Sequence, residues 1–548
     1  MSRRSILLSL FLITLFARSA DAQWGPNAAP VCIAANAQSN PRVATDGAGG
    51  AIFVWDDARS LAEAAVYIQK LNSAGSAQWT NNGVLVATVA SRPRVISDGA
   101  GGAIVAWRDT RSGAIGVYAQ RFNSSGAPLW TAGGVRLSTT FGDPEIDLDG
   151  AGGAVVAWSA GVQPTRDVYA QRVASNGAVL WAAGGLTVCR HPQDQVDVAI
   201  AGIGAGAAIV SWLDHRDATH RVFARGISVA GDTLWTPLGL ALSPSNPAAF
   251  RPATVADGAN GVYVAVPDQR QAGQGTHIYL YRLTGAGATS PGWPAGGVDL
   301  GVGYTGGDPN LVMIREALGG VLLTQHGGHV NHVTAAGTED WFADATQVTN
   351  AFDSPLFPRL VPDLGGGAIV GWHDIRTQVD YDAWATQIQW DGALNSGCPL
   401  GGESLTTFNG SQTEVTGCPD GLSGAIFGWR DARSDGGNIF ANHTTCATAV
   451  GVGNAPLALV ESLRLEQNPS FGARRAVVTL GPLATDEPAI LTLHDVAGRV
   501  VARHTIAPSA AGQMLVDLDP GRRLAPGTYF LQLRHGNCVI AHKATFLR

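Results

Sequence analysis

The chain has 548 residues, 45% of them apolar, 14% charged and 70 of them glycine. A solvated disordered chain is excluded, because it would be highly charged and poor in apolar residues. The formal charge of -7 argues against a nucleic-acid partner, since phosphate binding needs clustered Lys and Arg.

Residues 1–22 read as a secretory signal peptide. Arg3 and Arg4 form the basic start, Ile6 to Phe16 the apolar stretch, and Ala20-Asp21-Ala22 the small-residue cleavage site. The apolar stretch is too short to span a bilayer. No later run is long and apolar enough for an integral membrane segment in the mature chain. The expected location is therefore secreted or on the outer-membrane cell surface.

Beyond the leader the sequence repeats itself. "PRVATDGAGGAIFVWDDARS" from Pro41, "PRVISDGAGGAIVAWRDTRS" from Pro93 and "PEIDLDGAGGAVVAW" from Pro144 are plain copies. The position after the apolar run is held by Trp55, Trp107, Trp158, Trp212, Val266, Gln325, Trp372 and Trp429. Eight units roughly fifty residues apart match the period of propeller blades. Each unit parses into four short β-branched and aromatic runs separated by Asp-Gly and Gly-Gly turn residues. The spacing predicts an eight-bladed β-propeller over residues 23–446.

A second tryptophan precedes the last strand of most units: Trp79, Trp130, Trp181, Trp235, Trp293 and Trp341. Trp24 fits this series but stands ahead of the first unit, while the eighth unit stops after "NIFANHTTC" without its last strand. The segment "APVCIAAN" is thus expected to supply the missing strand, Val31 to Ala35 lying beside Ile439 to Thr445. Closure of this kind hides two strand edges. Both tryptophan series recur at fixed places, which favours packing between sheets over sugar platforms; each buried ring is worth about 2–3 kcal/mol. Six cysteines in an exported chain can form disulfides. Cys32–Cys446 and Cys398–Cys418 are the expected pairs, because closure brings the first two to adjacent strands.

The conspicuous polar feature is Asp-x-Arg after the strand tryptophan: Asp57/Arg59, Asp109/Arg111, Asp214/Arg216, Asp268/Arg270, Asp374/Arg376 and Asp431/Arg433. These pairs would ring one loop face. They serve either as a ligand-binding ring of arginine forks or as a turn device in which Asp accepts backbone N–H groups and Arg ties one blade to the next. "QHGGHVNH" (Gln325 to His332) offers His326 and His329 across a hairpin with no third ligand, a poor zinc site. Each "DGAGG" brings one carboxylate where calcium wants several. No metal or cofactor is expected, and no Gly-x-Ser-x-Gly, phosphate-cradling loop or His-Glu-x-x-His occurs.

After a linker at 447–460, residues 461–548 show alternating apolar strands and Pro-Gly and Ala-Gly turns, which predict a small Ig-like β-sandwich. "NPSF" (Asn468, Pro469), "LHDVAGRVV" (Asp495, Gly498, Arg499), "LAPGTYFLQL" (Gly527, Tyr529) and the terminal "HKATFLR" (Lys543) follow in order. In that combination the tail resembles the C-terminal sorting domain of the type IX secretion system, related to the Ig-like domain of flagellar hook-cap proteins. The resemblance implies type IX export machinery as a partner, passage through the outer membrane, and tail cleavage or surface attachment. Ser470 before Phe471 departs from the family's usual Asn-Pro-Phe.

The near-uniform repeats favour a non-catalytic module whose loop face binds a polysaccharide or a protein. The alternatives are a glycan-active hydrolase or lyase on the same scaffold and a structural surface-layer component. An enzyme would concentrate non-repeating carboxylates, Tyr or His at one mouth of the central channel.

Overall fold

The computed structural model describes residues 24–444 apart from short loop stretches, and parts of 462–546. The chain is all-β; no helix occurs among the described residues, and hence none long and apolar enough to cross a membrane. Residues 29–444 form eight four-stranded antiparallel sheets. The first sheet runs Gln38–Thr45, Ala51–Asp57, Ala65–Leu71 and Val84–Thr88 in consecutive hairpins. The second repeats this with Ala90–Ser97, Ala103–Asp109, Gly116–Phe122 and a two-residue outer strand, Val135–Arg136. The first hairpin of the first sheet turns on Asp46, whose Oδ1 accepts the Ala48 and Gly50 amides at 2.8 and 2.7 Å. Gly47 and Gly49 there sit at φ +72° and +88°, conformations that side chains disfavour. The same Asp cap recurs at Asp98, Asp149, Asp257, Asp363 and Asp420.

The inner strand of every sheet touches the inner strands on both sides, from Gln38–Thr45 around to Gln412–Pro419 and back, so the sheets close a circuit around a central channel. The eighth sheet takes its outer strand from the N-terminus: Ala29–Cys32 pairs antiparallel with Asn438–Thr444, Ala29 opposite Ala441 and Cys32 opposite Ile439. The closing strand therefore begins two residues before the expected Val31 and ends at Cys32. Beyond it the Ile33 amide donates to Asn82 Oδ1 at 2.9 Å.

Packing at this junction copies the others. Trp24 lies in the cluster that joins Val31, Phe53, Trp55, Leu71, Ile426 and Ile439. Its Nε1 donates to Ser73 O at 3.0 Å, as Trp79 does to Ser124 O at 3.1 Å and Trp130 to Ser175 O at 2.9 Å. Each such ring lies on a turn glycine of the next sheet, Gly75, Gly126 or Gly177, where no side chain would fit. The second tryptophan series is thus an inter-sheet clamp, and the strand series is buried outright at Trp55, Trp107, Trp158, Trp212, Trp372 and Trp429.

The expected disulfides are overturned. Cys32 and Cys418 both carry free thiols. Cys32 Sγ faces the Arg59 guanidinium at 3.4 Å, and Cys418 sits in the apolar junction of the eighth and first sheets. Cys398 is disulfide-bonded to a cysteine other than Cys418. Cys446 lies outside the described residues.

The tail folds as two further sheets, one of Ser462–Leu465, Arg475–Leu480 and Gly512–Asp517, the other of Val500–Ile506, Ala489–His494, Gly527–His535 and Cys538–Phe546 in spatial order.

Candidate active site at the channel mouth

The six Asp-x-Arg pairs do not converge on a ligand site, which corrects the expectation of a loop-face ring of arginine forks. Asp57 is buried and accepts from Trp55 Nε1 at 2.7 Å, the Arg59 amide at 2.8 Å, Arg59 Nε at 2.8 Å and Nη2 at 2.7 Å. Its acceptor sites are thereby used. Arg59 stacks 3.6 Å over Tyr67 and donates to Asn82 O at 2.7 Å, just ahead of the same sheet's outer strand.

The other five pairs repeat this arrangement. Arg216 is not a ligand-facing fork: it donates from Nε to Asp214 Oδ1 at 2.8 Å and from Nη2 to Leu238 O at 3.0 Å, and it stacks 3.9 Å over Phe223. Nor is Arg376, which donates from Nε to Asp374 Oδ1 at 2.9 Å and from Nη1 to Gly401 O at 2.7 Å, 4.0 Å over Trp384. Arg111 on Asp109 reaches Gly133 O, Arg270 on Asp268 reaches Gly296 O, and Arg433 on Asp431 reaches Asn27 O of the N-terminal segment. The physical reason is common to all six. The fork is consumed by its own aspartate and by a carbonyl of the outer turn, so it locks the outer half of one sheet rather than joining neighbours or receiving a ligand. Arg433–Asn27 is that lock across the ring closure.

Non-repeating chemistry sits instead where the inner strands begin, at the loop-face end of the channel. Register defines the positions. Arg42 pairs with Val54, the residue before the strand tryptophan; its equivalents are Arg94, Glu145, Ala199, Ala253, Val312, Arg359 and Thr416. Two residues earlier five of the eight inner strands bulge. Asn40, Arg92, Asp197, Asn310, Phe357 and Glu414 there all have positive φ, and Asp143 and Arg251 fill the remaining two places. A bulge re-aims a side chain and frees a ladder amide. Those freed amides are met across the gap between sheets: the Arg92 amide donates to Asp56 Oδ1 at 2.9 Å, the Phe357 amide to His326 Nδ1 at 3.3 Å, and the Asn40 amide to Glu414 Oε2. Positions that vary sheet by sheet, in units otherwise alike, are thus gathered at one rim.

The charges there are unbalanced. A cavity of about 380 Å³ is lined by Arg42, Arg92, Arg94, Arg108, Arg166 and Arg251 against Asp143, Glu145 and Asp197. Glu145 takes Arg94 in a fork at 3.0 and 2.9 Å and Arg251, two sheets away, at 2.8 Å. Burial alone would raise the Glu145 carboxyl, but Arg94 and Arg251 override it and hold it at about 2. Burial raises Asp56 to about 6, although Asn40 Nδ2 donates to it at 3.1 Å. Asp143 lies 3.7 Å from Arg92 Nε and 3.3 Å from Arg108 Nη1, so Arg92 meets Asp56 at its backbone amide and Asp143 at its guanidinium. The side chains of Arg42 and Arg359 bond only the carbonyls of Pro41 and Pro358 among the described residues. Burial and the neighbouring guanidiniums, Arg94 and Arg359 for Arg42 and Arg251 and Arg94 for Arg359, press them down to about 9 and about 10.

No cluster of three metal-ligating side chains occurs among the described residues. His326 supports the bulge at Phe357, His332 faces Glu316 at 3.5 Å, and the "DGAGG" aspartates cap their own turns. In the tail, Asp495 and Arg499 close a hairpin turn at 2.9 Å, and Tyr529 Oη donates to Ala525 O at 2.8 Å. Gly527 opens the strand Gly527–His535 and Lys543 lies in Cys538–Phe546; Asn468, Pro469 and Gly498 lie outside the described residues.

No protein-family model matches the sequence, and no curated protein is similar to it. Among solved structures, an endo-arabinase from Bacteroides thetaiotaomicron is 14% identical over 55% of this chain and 93% of its own, with a TM-score of 0.28. An alpha-L-arabinanase from Penicillium chrysogenum is 12% identical over 65% and 93%, TM-score 0.34. An acylaminoacyl peptidase from Pyrococcus horikoshii is 10% identical over 83% and 61%, TM-score 0.37. Such weak likenesses assign no reaction. The expectation of a non-catalytic binding module is nonetheless overturned. The channel mouth holds the non-repeating carboxylates that mark the alternative.

Proposed function

We propose that the chain is a glycan-active hydrolase whose reaction takes place at the loop-face mouth of an eight-bladed β-propeller. The observation that carries this is the rim itself: at two register-equivalent positions the residue varies from sheet to sheet between arginine, carboxylate, amide and apolar side chains, while the remainder of the sheet is repeated. Identical blades suffice for a scaffold; catalysis needs different groups in different roles. Asp56 and Asp143 supply the pair of carboxyl groups that glycoside hydrolysis uses. Asp56, held protonated to about pH 6 by burial, donates the proton to the leaving oxygen, and the Asp143 carboxylate acts as base or nucleophile. A carboxyl kept protonated by burial suits the acid's part in such a pair.

The test is turnover on a panel of polysaccharides, read as new reducing ends. Replacing Asp56→Asn or Asp143→Asn should lower it roughly 10²–10⁴-fold. Because the acid must be protonated, wild-type turnover should hold below pH 6 and fall as pH rises through it; Asp56→Asn should lose that limb. Full activity in both variants would sink the assignment.

The finer architecture belongs to the same proposal. The N-terminal strand closes the propeller, and the two tail sheets form an Ig-like sandwich, supported by Tyr529, whose hydroxyl bonds backbone four residues upstream as a tyrosine corner does. Residues 1–22 direct export, and the tail acts as a type IX sorting domain that releases the enzyme outside the cell or attaches it to the surface. A neutral reporter carrying residues 447–548 should leave the periplasm of a host with that machinery; retention would count against the sorting role.

A further inference from the structure

We propose that the channel mouth binds acidic groups of an anionic polysaccharide, carboxylate or sulfate, with Arg42 and Arg359 as the receiving side chains. This rests on the hydrolase reading for the site and adds its substrate class. The cavity is lined by six arginines and three carboxylates in a chain whose formal charge is -7, so the excess of cations is local. Arg42 is one of the six, and Arg359 stands beside them, within electrostatic reach of Arg251 and Arg94. Arg94 and Arg251 are occupied by Glu145, Arg92 and Arg108 face Asp143, and Arg166 pairs with Asp194 at 2.8 Å. Arg42 and Arg359 make no ion pair among the described residues, although Glu145 and Glu414 act on Arg42 from a distance; each donates from Nη1 to the carbonyl before it. They stand within electrostatic reach of each other and of Arg94. Half-buried guanidiniums that no carboxylate pairs directly are unfavourable. An oxyanion relieves that, and a planar fork fits a carboxylate or sulfate better than a neutral hydroxyl. Both arginines sit on proline-led inner strands, which fix their backbones before the ligand arrives.

The experiment measures binding of the full chain carrying Asp56→Asn, to suppress turnover, to polygalacturonate, chondroitin sulfate and neutral arabinan at low and high salt. The expected result is preference for one or both acidic polymers, weakened by salt, with the polymer preferred telling carboxylate from sulfate. Adding Arg42→Gln and Arg359→Gln should cut that affinity by roughly tenfold or more and leave arabinan unaffected. Relief of repulsion predicts an unchanged or raised Tm without ligand; should the double variant unfold, the single variants carry the same comparison. Equal affinity for arabinan, no affinity for either acidic polymer, or unchanged affinity in the variants would overturn the proposal. Acidic binding without turnover in the wild type would overturn the hydrolase reading alone, whereas turnover confined to neutral glycans would overturn this one alone.

Discussion

At the scale of single residues, the same two side chains are used for opposite ends in this molecule. Asp57 and its equivalents are carboxylates with every acceptor site filled, beside an arginine that is also stacked and bonded. Removing one partner of a buried pair leaves the other charge uncompensated, which is far costlier than never having built the pair. Asp431→Ala strips Arg433, largely covered by Phe408 and Phe440, and orphans Trp429 Nε1. It should therefore cost about 3–5 kcal/mol in denaturant unfolding, while an exposed pair such as Arg499–Asp495 should cost less than about 1 kcal/mol. The rim carboxyl Asp56 works the other way. Its folded pKa, about 6, lies above the ordinary 3.8, so the folded state binds more protons between those values. Stability contributed by this group is therefore present in acid and declines as pH rises from about 4 to 6. A urea titration across that window should show the decline in the wild type and not in Asp56→Asn.

At the scale of elements, the unit of construction is one sheet plus a tryptophan handed to the next. Trp24 is handed on from the N-terminal segment, yet its indole bonds Ser73 O and covers Gly75 as Trp79 bonds Ser124 O and covers Gly126. Trp24→Ala and Trp79→Ala should therefore destabilise alike, each by about 2–3 kcal/mol, in thermal unfolding; a far smaller effect for Trp24 would mean the closing junction is weaker than its neighbours. Elements of this kind were legible because they repeat. The strand tryptophans, the Asp-Gly turns and the displaced Trp24 are periodic signals, and periodicity survives the divergence of any one copy. The rim was written in the same lines. The residue after Pro41, Pro93, Pro144 and Pro358 reads Arg, Arg, Glu, Arg, a variable letter inside a constant phrase, and that variation was the available signal. Recurrence made Asp-x-Arg conspicuous and itself favoured a structural part for it; Arg216 and Arg376 end on the backbone of Leu238 and Gly401, not at a ligand site. The cysteines could not be read because proximity of strands does not fix the direction of side chains; Cys32 points to Arg59 and Cys418 into the apolar junction.

At the scale of the whole molecule, the circuit of sheets has no natural first member, and the chain merely happens to enter it inside the eighth. Enclosing the ends this way leaves the closing strand held by three kinds of contact. Backbone pairing links Ala29–Cys32 to Asn438–Thr444, the Arg433–Asn27 bond copies the lock of the other sheets, and Asn442 accepts the Trp24 amide at 2.8 Å and donates to Gly25 O at 3.1 Å. Asn442 thereby does for residues hundreds of positions away what Gln69 does for Trp79 within one hairpin. If those contacts and not chain entry hold the ring, the entry point can be moved. A permuted chain would begin at Asn36, run to Thr444, continue through a linker as long as Asn72–Gln78 into Trp24–Ala35, and then resume with the tail. The third and outer strands of the eighth sheet would become an ordinary hairpin, with the same neighbours throughout. Closing a loop of that length costs little, since the entropic term grows only with the logarithm of length. The permuted protein should be monomeric wherever the natural chain is, with a Tm within a few degrees of it and turnover at the rim unaltered. Aggregation, or loss of cooperative unfolding while the tail still folds, would show that the N-terminal strand reaches its place only as a separate segment added last.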